Sequence, residues 1–157
     1  MLKLTKKADY GLMAMKHLAE FGKDASCSAK DIAEAYDIPP EALAKILQRL
    51  ARAGLLVSQH GTNGGYALAR SPRSISALEV IKAIDGPLFL TSCVTHRGEC
   101  YQTSKCTVRE PLRKVNESIQ QVLSRINISD MTEEPGPEPS PEADPSRELV
   151  GIRALTN

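Results

Sequence analysis

The sequence predicts a mainly α protein with a small β-hairpin wing: a winged helix-turn-helix followed by a long dimerisation helix. Apolar residues recur at helical spacing in residues 5–21, 28–36 and 40–54, which is typical of amphipathic helices. Two short β-type runs joined by a loop containing Gly and Asn follow in residues 55–70 and indicate a hairpin. A later stretch, residues 108–126, repeats apolar residues at heptad-like spacing. Helix, turn, helix and hairpin in this order predict the winged fold.

The first two helices have recognisable starts. The first begins near Thr5, and the second begins after Ser28, a good N-cap residue with Asp31 three positions later. The pair Pro39 and Pro40 then ends the second helix, because a residue before proline avoids the helical region while proline suits a first helical turn. We therefore expect a tight turn between the second and third helices. The apolar positions of the first helix are Ala8, Leu12, Met15, Leu18 and Ala19.

The third helix is the most regular element of the chain. Gly54 is placed to end it in a left-handed conformation. Its inward positions, at i, i+3, i+4 and i+7, are Leu43, Ile46, Leu47 and Leu50.

A fourth helix and a long last helix follow the hairpin. Ser76 and Glu79 form the pattern of a capping box, and Gly86 marks the end of the fourth helix. The last helix steps by four and three through Val108, Leu112, Val115, Ile119, Val122 and Ile126. Such a stripe needs a partner, and a second copy of the same helix across a two-fold axis is the preferred interpretation. The alternative is that the helix packs back on its own domain.

Length and charge set the organisation of the chain. The 157 residues, 41% of them hydrophobic, suffice for one compact domain and an appendage. Residues 1–129 carry a formal charge of +6, whereas residues 130–157 hold seven acidic side chains and two arginines among many prolines. We predict a winged helix-turn-helix DNA-binding domain in 1–86, a cysteine loop and dimerisation helix in 87–129, and a disordered acidic tail in 130–157.

The sequence shows neither a signal-peptide core nor an apolar run of the length that a membrane span needs. We therefore expect a cytoplasmic protein with no membrane partner. Free thiols are the normal state of cysteine in that compartment, so the four cysteines are expected to be ligands, sensors or buried side chains. No phosphate-binding glycine loop or nucleophile beside a plausible base is present, and no enzyme activity is predicted.

The third helix and the wing carry the candidate DNA contacts. The second helix of a helix-turn-helix enters the major groove, where donors read base edges and phosphates. On the outward face of the third helix these donors are Lys45, Gln48, Arg49 and Arg52. The wing residues expected to approach the DNA backbone are His60, Thr62, Asn63 and Gly64. Two such modules in a dimer predict binding to a palindrome-like operator in double-stranded DNA.

The cysteine loop, "CVTHRGECYQTSKC" in residues 93–106, holds Cys93, Cys100 and Cys106 at spacing C-x6-C-x5-C. Thiolates are soft ligands that favour iron–sulfur clusters, zinc or copper(I). Three thiolates leave a tetrahedral metal one ligand short, and the fourth candidates are His96, Glu99, Glu110 and Asp9. Cys27 stands apart before the second helix and is interpreted as a plain small side chain.

Residues 1 to about 129 resemble the IscR/NsrR-type family of bacterial winged-helix regulators. The resemblance lies in "LTKKADYGL", "IAEAYDIPPEALAKILQRLARAGLL", "GTNGGYALAR", "ISALEVIKAIDG" and the three cysteines that follow. It implies a homodimeric transcription factor whose iron–sulfur cluster, 2Fe-2S or 4Fe-4S, is bound by Cys93, Cys100 and Cys106 and controls DNA affinity. It also implies a role in iron–sulfur assembly, iron homeostasis or the nitric oxide response.

The resemblance assigns Asp9 the position of a fourth ligand that the nitric-oxide-sensing branch takes from the partner subunit. The sequence departs from the family at Arg109, where the assembly-regulator branch often has His, and by one extra residue between the first two cysteines. Ala44, Lys45 and His60 also differ from the common residues of the DNA-binding face. The resemblance thus leaves cluster type and operator sequence open.

The resulting prediction is a DNA-binding regulator, a repressor by expectation, whose iron–sulfur cluster senses iron–sulfur status, redox stress or nitric oxide and acts on iron–sulfur assembly genes. Within the same class, the alternative is a zinc or thiol redox sensor without a cluster. From another class, the alternative is an iron–sulfur electron-transfer or cluster-carrier protein, which would not bind duplex DNA.

Overall fold

The computed structural model describes residues 4–22, 26–61, 64–91 and 100–132. Within these ranges the chain forms five α-helices, one antiparallel hairpin and two short 3-10 turns. The helices are α1 (Lys6–Phe21), α2 (Ala29–Ala35), α3 (Pro40–Arg52), α4 (Ala77–Asp85) and α5 (Arg109–Arg125). The strands are β1 (Leu56–Gln59) and β2 (Gly65–Leu68), and the 3-10 turns are Pro72–Ser74 and Ile128–Met131. This architecture confirms the predicted fold class of a mainly α protein with a hairpin wing.

The predicted helix starts are found in place. The Thr5 side chain accepts a hydrogen bond from the Ala8 amide at the start of α1, and the Ser28 side chain accepts one from Asp31 at the start of α2. Each side chain satisfies an amide that the helix itself leaves without a partner. The turn after α2 passes through Asp37, whose φ of 52° lies in the left-handed region that Asp and Asn adopt more readily than most residues.

Helix α3 ends as the sequence predicts. Gly54 has φ 77°, its amide donates to Ala51 O, and the Leu55 amide donates to Leu50 O at 3.0 Å. These two bonds form a Schellman motif, which needs a left-handed residue and therefore favours glycine. The motif turns the chain directly into β1.

The hairpin pairs Leu56 with Leu68 and Gln59 with Gly65. An isolated bridge joins Tyr66 to Cys27, with N–H···O distances of 2.9 and 3.1 Å. The segment before α2 thereby extends the hairpin by one short bridge, and this contact attaches the wing to the helix-turn-helix.

The core lies between α1, α3 and α4. The inward face of α3 is closed to solvent, and Met15 and Leu18 of α1 are likewise buried. Helix α4 starts with the predicted capping box, in which Ser76 accepts from the Glu79 amide and Glu79 accepts from the Ser76 amide. Burying the four apolar α3 side chains is worth about 1.5–3 kcal/mol for each of them before entropy costs.

After α5 the chain returns to the winged-helix core. Asn127 forms an isolated bridge with Ser76, and Ile128 is fully buried. Nothing in the periodicity of the sequence indicated this return. The boundaries 1–86, 87–129 and 130–157 stay predictions, and residues 133–157 of the proposed tail lie outside the described part of the chain.

In the described ranges, no helix combines the length and the apolar character that crossing a bilayer requires.

Candidate DNA-binding face and cysteine loop

Helix α3 presents a polar face to solvent. Lys45, Gln48 and Arg52 are exposed, while the opposite face of the same helix is buried in the core. The 3.6-residue period of the helix separates the two sets, so the core fixes the direction in which these donors point. The structure therefore brings the predicted α3 contacts together on one accessible surface.

Arg49 differs from its neighbours on this face. It is exposed, yet its Nη1 donates a hydrogen bond of 2.8 Å to the Ile84 carbonyl at the end of α4. From its position on the helix alone, Arg49 is predicted only to contact DNA, because spacing along one helix does not reveal a partner 35 residues later.

A cleft of about 350 Å³ lies beside α3 and is lined by Lys7, Lys45, Arg49 and Ile84, among others. Three cationic side chains at one opening favour a negative group such as a backbone phosphate, although Glu41 on the same wall reduces the positive potential. The cleft thus places Lys7 of α1 beside two of the predicted α3 contact residues, Lys45 and Arg49.

The wing is described on both sides of its tip. His60 and Gly61 are exposed, and the Gly64 amide donates to Gly61 O at 3.0 Å. The predicted contact residues Thr62 and Asn63 lie outside the described residues.

Cys100 and Cys106 are half-buried free thiols at the two ends of a turn formed by residues 101–105. The amide and hydroxyl of Thr103 both donate to Cys100 O, at 3.1 and 2.6 Å. The turn therefore fixes the backbone beside Cys100, close in sequence to the start of α5. Cys93, His96 and Glu99 lie outside the described residues. Of the three predicted cysteine ligands, the structure therefore describes Cys100 and Cys106.

The fourth-ligand candidates differ in their surroundings. Asp9 is half-buried in the first turn of α1, and its carboxylate makes no hydrogen bond or ion pair to the described part of the chain. Glu110 is engaged by Arg113 at 2.9 Å, and the hydrogen bond and charge of Arg113 lower the pKa of the Glu110 carboxyl. Asp9 is therefore the more available oxygen donor of the two.

The fit to a metal group rests on the chemistry of these donors. Soft thiolates with one carboxylate suit iron better than calcium or magnesium, which prefer all-oxygen ligand sets. Among the described residues, no three or more His, Cys, Asp or Glu side chains are already grouped around a possible ion.

Cys27 is a poor ligand or nucleophile. Its backbone is held by the bridge to Tyr66, and its burial, followed by the nearby charge of Asp31, raises the pKa of the thiol. A raised pKa keeps the side chain protonated at neutral pH, whereas metal binding and redox chemistry need the thiolate. These surroundings agree with the interpretation of Cys27 as a plain side chain.

Helix α5 leaves part of its apolar stripe uncovered. Val108, Val115 and Val122 are 55%, 48% and 58% exposed, while Leu112 and Ile119 are half-buried. An apolar groove on this face is lined by Lys114, Val115, Ser118, Ile119, Val122 and Leu123. Packing of α5 on its own domain thus covers one side of the stripe and leaves the valines exposed.

Two polar residues of α5 that the sequence pattern does not single out bond to the segment after α4. Asn116 is 4% exposed and its Oδ1 accepts from the Leu90 amide at 3.0 Å. Gln120 Nε2 donates to Leu88 O, also at 3.0 Å. The only sequence signal was their i, i+4 spacing, which does not identify a partner outside the helix.

A sequence model of the Rrf2 family, described as "Iron-dependent Transcriptional regulator", matches residues 4–134 of the chain. Solved structures with the same fold include CymR, the global cysteine regulator of B. subtilis, at 28% identity and a TM-score of 0.72, covering 84% of this chain and 97% of that one. T. potens IscR is 32% identical, with a TM-score of 0.66 and coverage of 83% and 85%. The oxidized form of Staphylococcus aureus CymR is 25% identical, with a TM-score of 0.68 and coverage of 87% and 100%.

Proposed function

Because the chain belongs to the Rrf2 family of transcriptional regulators, we propose that it is a homodimeric repressor in which an iron–sulfur cluster controls affinity for a palindrome-like operator. The observation that carries the proposal is the joint presence of two surfaces in one folded unit. One is the exposed donor face of α3, and the other is the turn that presents Cys100 and Cys106 as free thiols.

The proposed cluster ligands are Cys93, Cys100, Cys106 and Asp9. When bound, the cluster supplies a redox-active, nitric-oxide-reactive group whose gain or loss alters the loop that holds it. A set of three thiolates and one carboxylate supports a labile group, because an oxygen donor binds softer metals less firmly than a thiolate does. Arg109, in place of the histidine of the assembly-regulator branch, leaves Asp9 as the better-supported fourth ligand, and both 2Fe-2S and 4Fe-4S stay open.

The proposed DNA contacts divide by chemistry. Gln48 and the guanidinium of Arg52 suit base edges in the major groove, while Lys45 suits phosphates. His60, Thr62, Asn63 and Gly64 form the wing that approaches the neighbouring backbone. The exposed valines of α5 support the dimer that would set two α3 helices about one DNA turn apart.

The family description and the similarity to T. potens IscR support genes of iron–sulfur assembly as targets. Iron homeostasis and the nitric oxide response are the other physiological settings that the resemblance implies.

The test is anaerobic purification with iron and sulfide quantified, followed by duplex binding before and after cluster removal. Cys100→Ala should abolish the cluster and alter DNA binding, whereas Cys27→Ala should do neither. Asp9→Ala should hasten cluster loss in air, and Asp31→Ala, an acidic residue in the first turn of α2, is its matched control. Wild-type protein free of iron and sulfide would remove the cluster from the proposal.

The second candidate is a thiol redox sensor without a cluster. It is favoured by the half-buried free thiols of Cys100 and Cys106 and by the similarity to oxidized S. aureus CymR. For this function, colourless protein should change its DNA affinity on treatment with peroxide and recover it with a thiol reductant. Cys100→Ala would again remove the response.

A further inference from the structure

We propose that residues 84–90 form a coupling linker that transmits the state of the cysteine loop to α3, with Arg49 as a positioning residue at one end. This inference rests on the proposed function and names the route by which the DNA-binding face is regulated. The cysteine loop begins at the third residue after Leu90, so the linker is the part of the chain that directly precedes it.

At its first end the linker is attached to α3. The Arg49 guanidinium donates to the Ile84 carbonyl at 2.8 Å, at the C-terminal end of α4 where helix carbonyls lack intrahelical partners. The Ile84 side chain is 4% exposed and fills the space over Gly11, where any Cβ would collide with it. Polar and apolar contacts therefore hold the same residue from two sides.

The same end is attached to α1. The Thr5 hydroxyl donates to the Asp85 carboxylate at 2.7 and 2.9 Å, while its oxygen accepts from the Ala8 amide. Thr5 thus serves as the N-cap of α1 and as an anchor for the end of α4. Asp9, the proposed fourth ligand, lies in the first turn that this cap begins.

At its second end the linker is attached to α5. Gln120 donates to Leu88 O, and Asn116 accepts from the Leu90 amide, each at 3.0 Å. Asn116 is buried, so breaking its bond to the Leu90 amide would leave both groups without a hydrogen-bond partner. This free-energy cost opposes any movement of the linker away from α5. The linker is therefore fixed to the dimerisation helix on one side and to the DNA-reading helix on the other.

This arrangement gives Arg49 a role different from that of Arg52. A guanidinium that donates to Ile84 O is held at the end of α4, so a shift of that end displaces it. A displacement of the linker consequently reaches α3 through Arg49 and the packing of Ile84, without any need for the cysteine loop to touch DNA.

The first experiment compares DNA affinity of cluster-loaded and cluster-stripped protein for each variant. Coupling in regulated proteins usually gives a ratio of roughly 5- to 150-fold. Gln120→Met removes one of the two bonds at the α5 end and leaves the Asn116 bond in place, so it should lower the ratio by about twofold or more. Gln121→Met, the neighbouring exposed glutamine, should keep the wild-type ratio. At the other end, Arg49→Gln and Arg52→Gln should both weaken binding through loss of charge, but only Arg49→Gln should reduce the ratio.

The second experiment uses stripped protein and measures amide hydrogen exchange with and without an operator duplex. DNA on α3 should slow exchange in residues 84–90 of the wild type, and Arg49→Gln should lose this effect while α3 itself is still protected. If hydrogen exchange in residues 84–90 of the wild type is the same with and without the duplex, the proposal of a coupling linker is wrong. If that exchange responds but no iron is ever bound, the linker stands and the cluster part of the proposed function fails. The proposal would also be overturned if Gln120→Met and Arg49→Gln both kept the wild-type ratio of cluster-loaded to cluster-stripped DNA affinity.

Discussion

Arg49 and Arg52 lie three residues apart on α3 and are both exposed, yet they differ in their hydrogen bonds. Arg49 donates to the Ile84 carbonyl, whereas Arg52 makes no hydrogen bond within the described part of the chain. The difference comes from the partner, since the Ile84 carbonyl at the end of α4 lies within hydrogen-bonding distance of Arg49. At the residue scale, identical side chains on one helix face therefore need separate assignments.

Glu79 shows how one side chain stabilises an element. It accepts from the Ser76 amide at 2.9 Å and from Arg70 at 2.8 Å, and these bonds lower the pKa of its carboxyl, the Ser76 amide having the largest effect. A lowered pKa in the folded state means that the ionised form stabilises the fold. This contribution is complete above the unfolded carboxyl pKa of about 4.3 and is lost as pH falls through the lower folded value.

We expect Glu79→Ala to lower the free energy of unfolding by about 1 kcal/mol at neutral pH, the usual cost of losing a cap. The difference from wild type should shrink as pH falls below about 4, because both proteins then lack the ionised carboxylate. Denaturant unfolding at neutral pH and below about pH 4 measures this difference in the free energy of unfolding. Glu34→Ala, which removes an exposed partner of Lys30 3.7 Å away, should change stability little at either pH. An undiminished difference in acid would contradict the assignment.

At the element scale, α3 and α5 show two solutions for an amphipathic helix. Helix α3 buries its apolar face in the core of its own domain and leaves its polar face exposed to solvent. Helix α5 is covered on one side only: Asn116 faces its own domain, while Val115 and Val122 face solvent. Apolar side chains repeated along one exposed face lower the free energy when they pack against a matching surface.

Val115→Glu should weaken self-association by about tenfold or more, since burying one valine is worth roughly 1.5 kcal/mol and an unpaired carboxylate opposes it. Sedimentation over a concentration series measures the change, and DNA affinity should fall with it because a dimer reads two half-sites. Gln121→Glu makes a similar charge change at an exposed α5 position outside the groove and should leave the dimer intact. Equal behaviour of the two variants would argue against the valine stripe as the interface.

At the scale of the whole molecule, charge is distributed unevenly along the chain. Residues 1–129 carry a formal charge of +6, whereas residues 130–157 carry seven acidic side chains and only two arginines. A basic body attracts a polyanion over distances that salt screens, and counterion release makes affinity fall as salt rises. The predicted acidic tail would weaken this attraction if it approached the same surface.

Duplex affinity should fall linearly on a plot of log affinity against log salt, and Lys45→Ala should make the slope shallower by about one. Titrations of a fluorescent duplex at several salt concentrations measure the slope. Lys82→Ala removes an equal charge from an exposed position of α4 that does not line the cleft beside α3, and should leave the slope unchanged. A slope that Lys45→Ala does not alter would remove this lysine from the phosphate contacts.

The sequence by itself determined the order of elements, because caps and periodicity are local. Thr5, Ser28 and the pair Ser76 and Glu79 each begin a helix through bonds to amides three residues away, and Gly54 ends one through its left-handed φ. The polar face of α3 and the apolar stripe of α5 could also be predicted from the sequence, since both follow from the 3.6-residue period of a helix. The candidate cysteine ligands could also be identified from the sequence, because three of them lie close together in one short loop.

Only the tertiary structure decided which distant groups meet. Arg49 contacts Ile84, Thr5 contacts Asp85, and Asn116 contacts Leu90 across 35, 80 and 26 residues. Side-chain types do not encode such partners, because a carbonyl or amide of any residue satisfies the same donor or acceptor equally well. The packing of α4 against α1 and α3, and of α5 against α4, brings these groups within bonding distance, because only the folded chain places residues so far apart in sequence side by side.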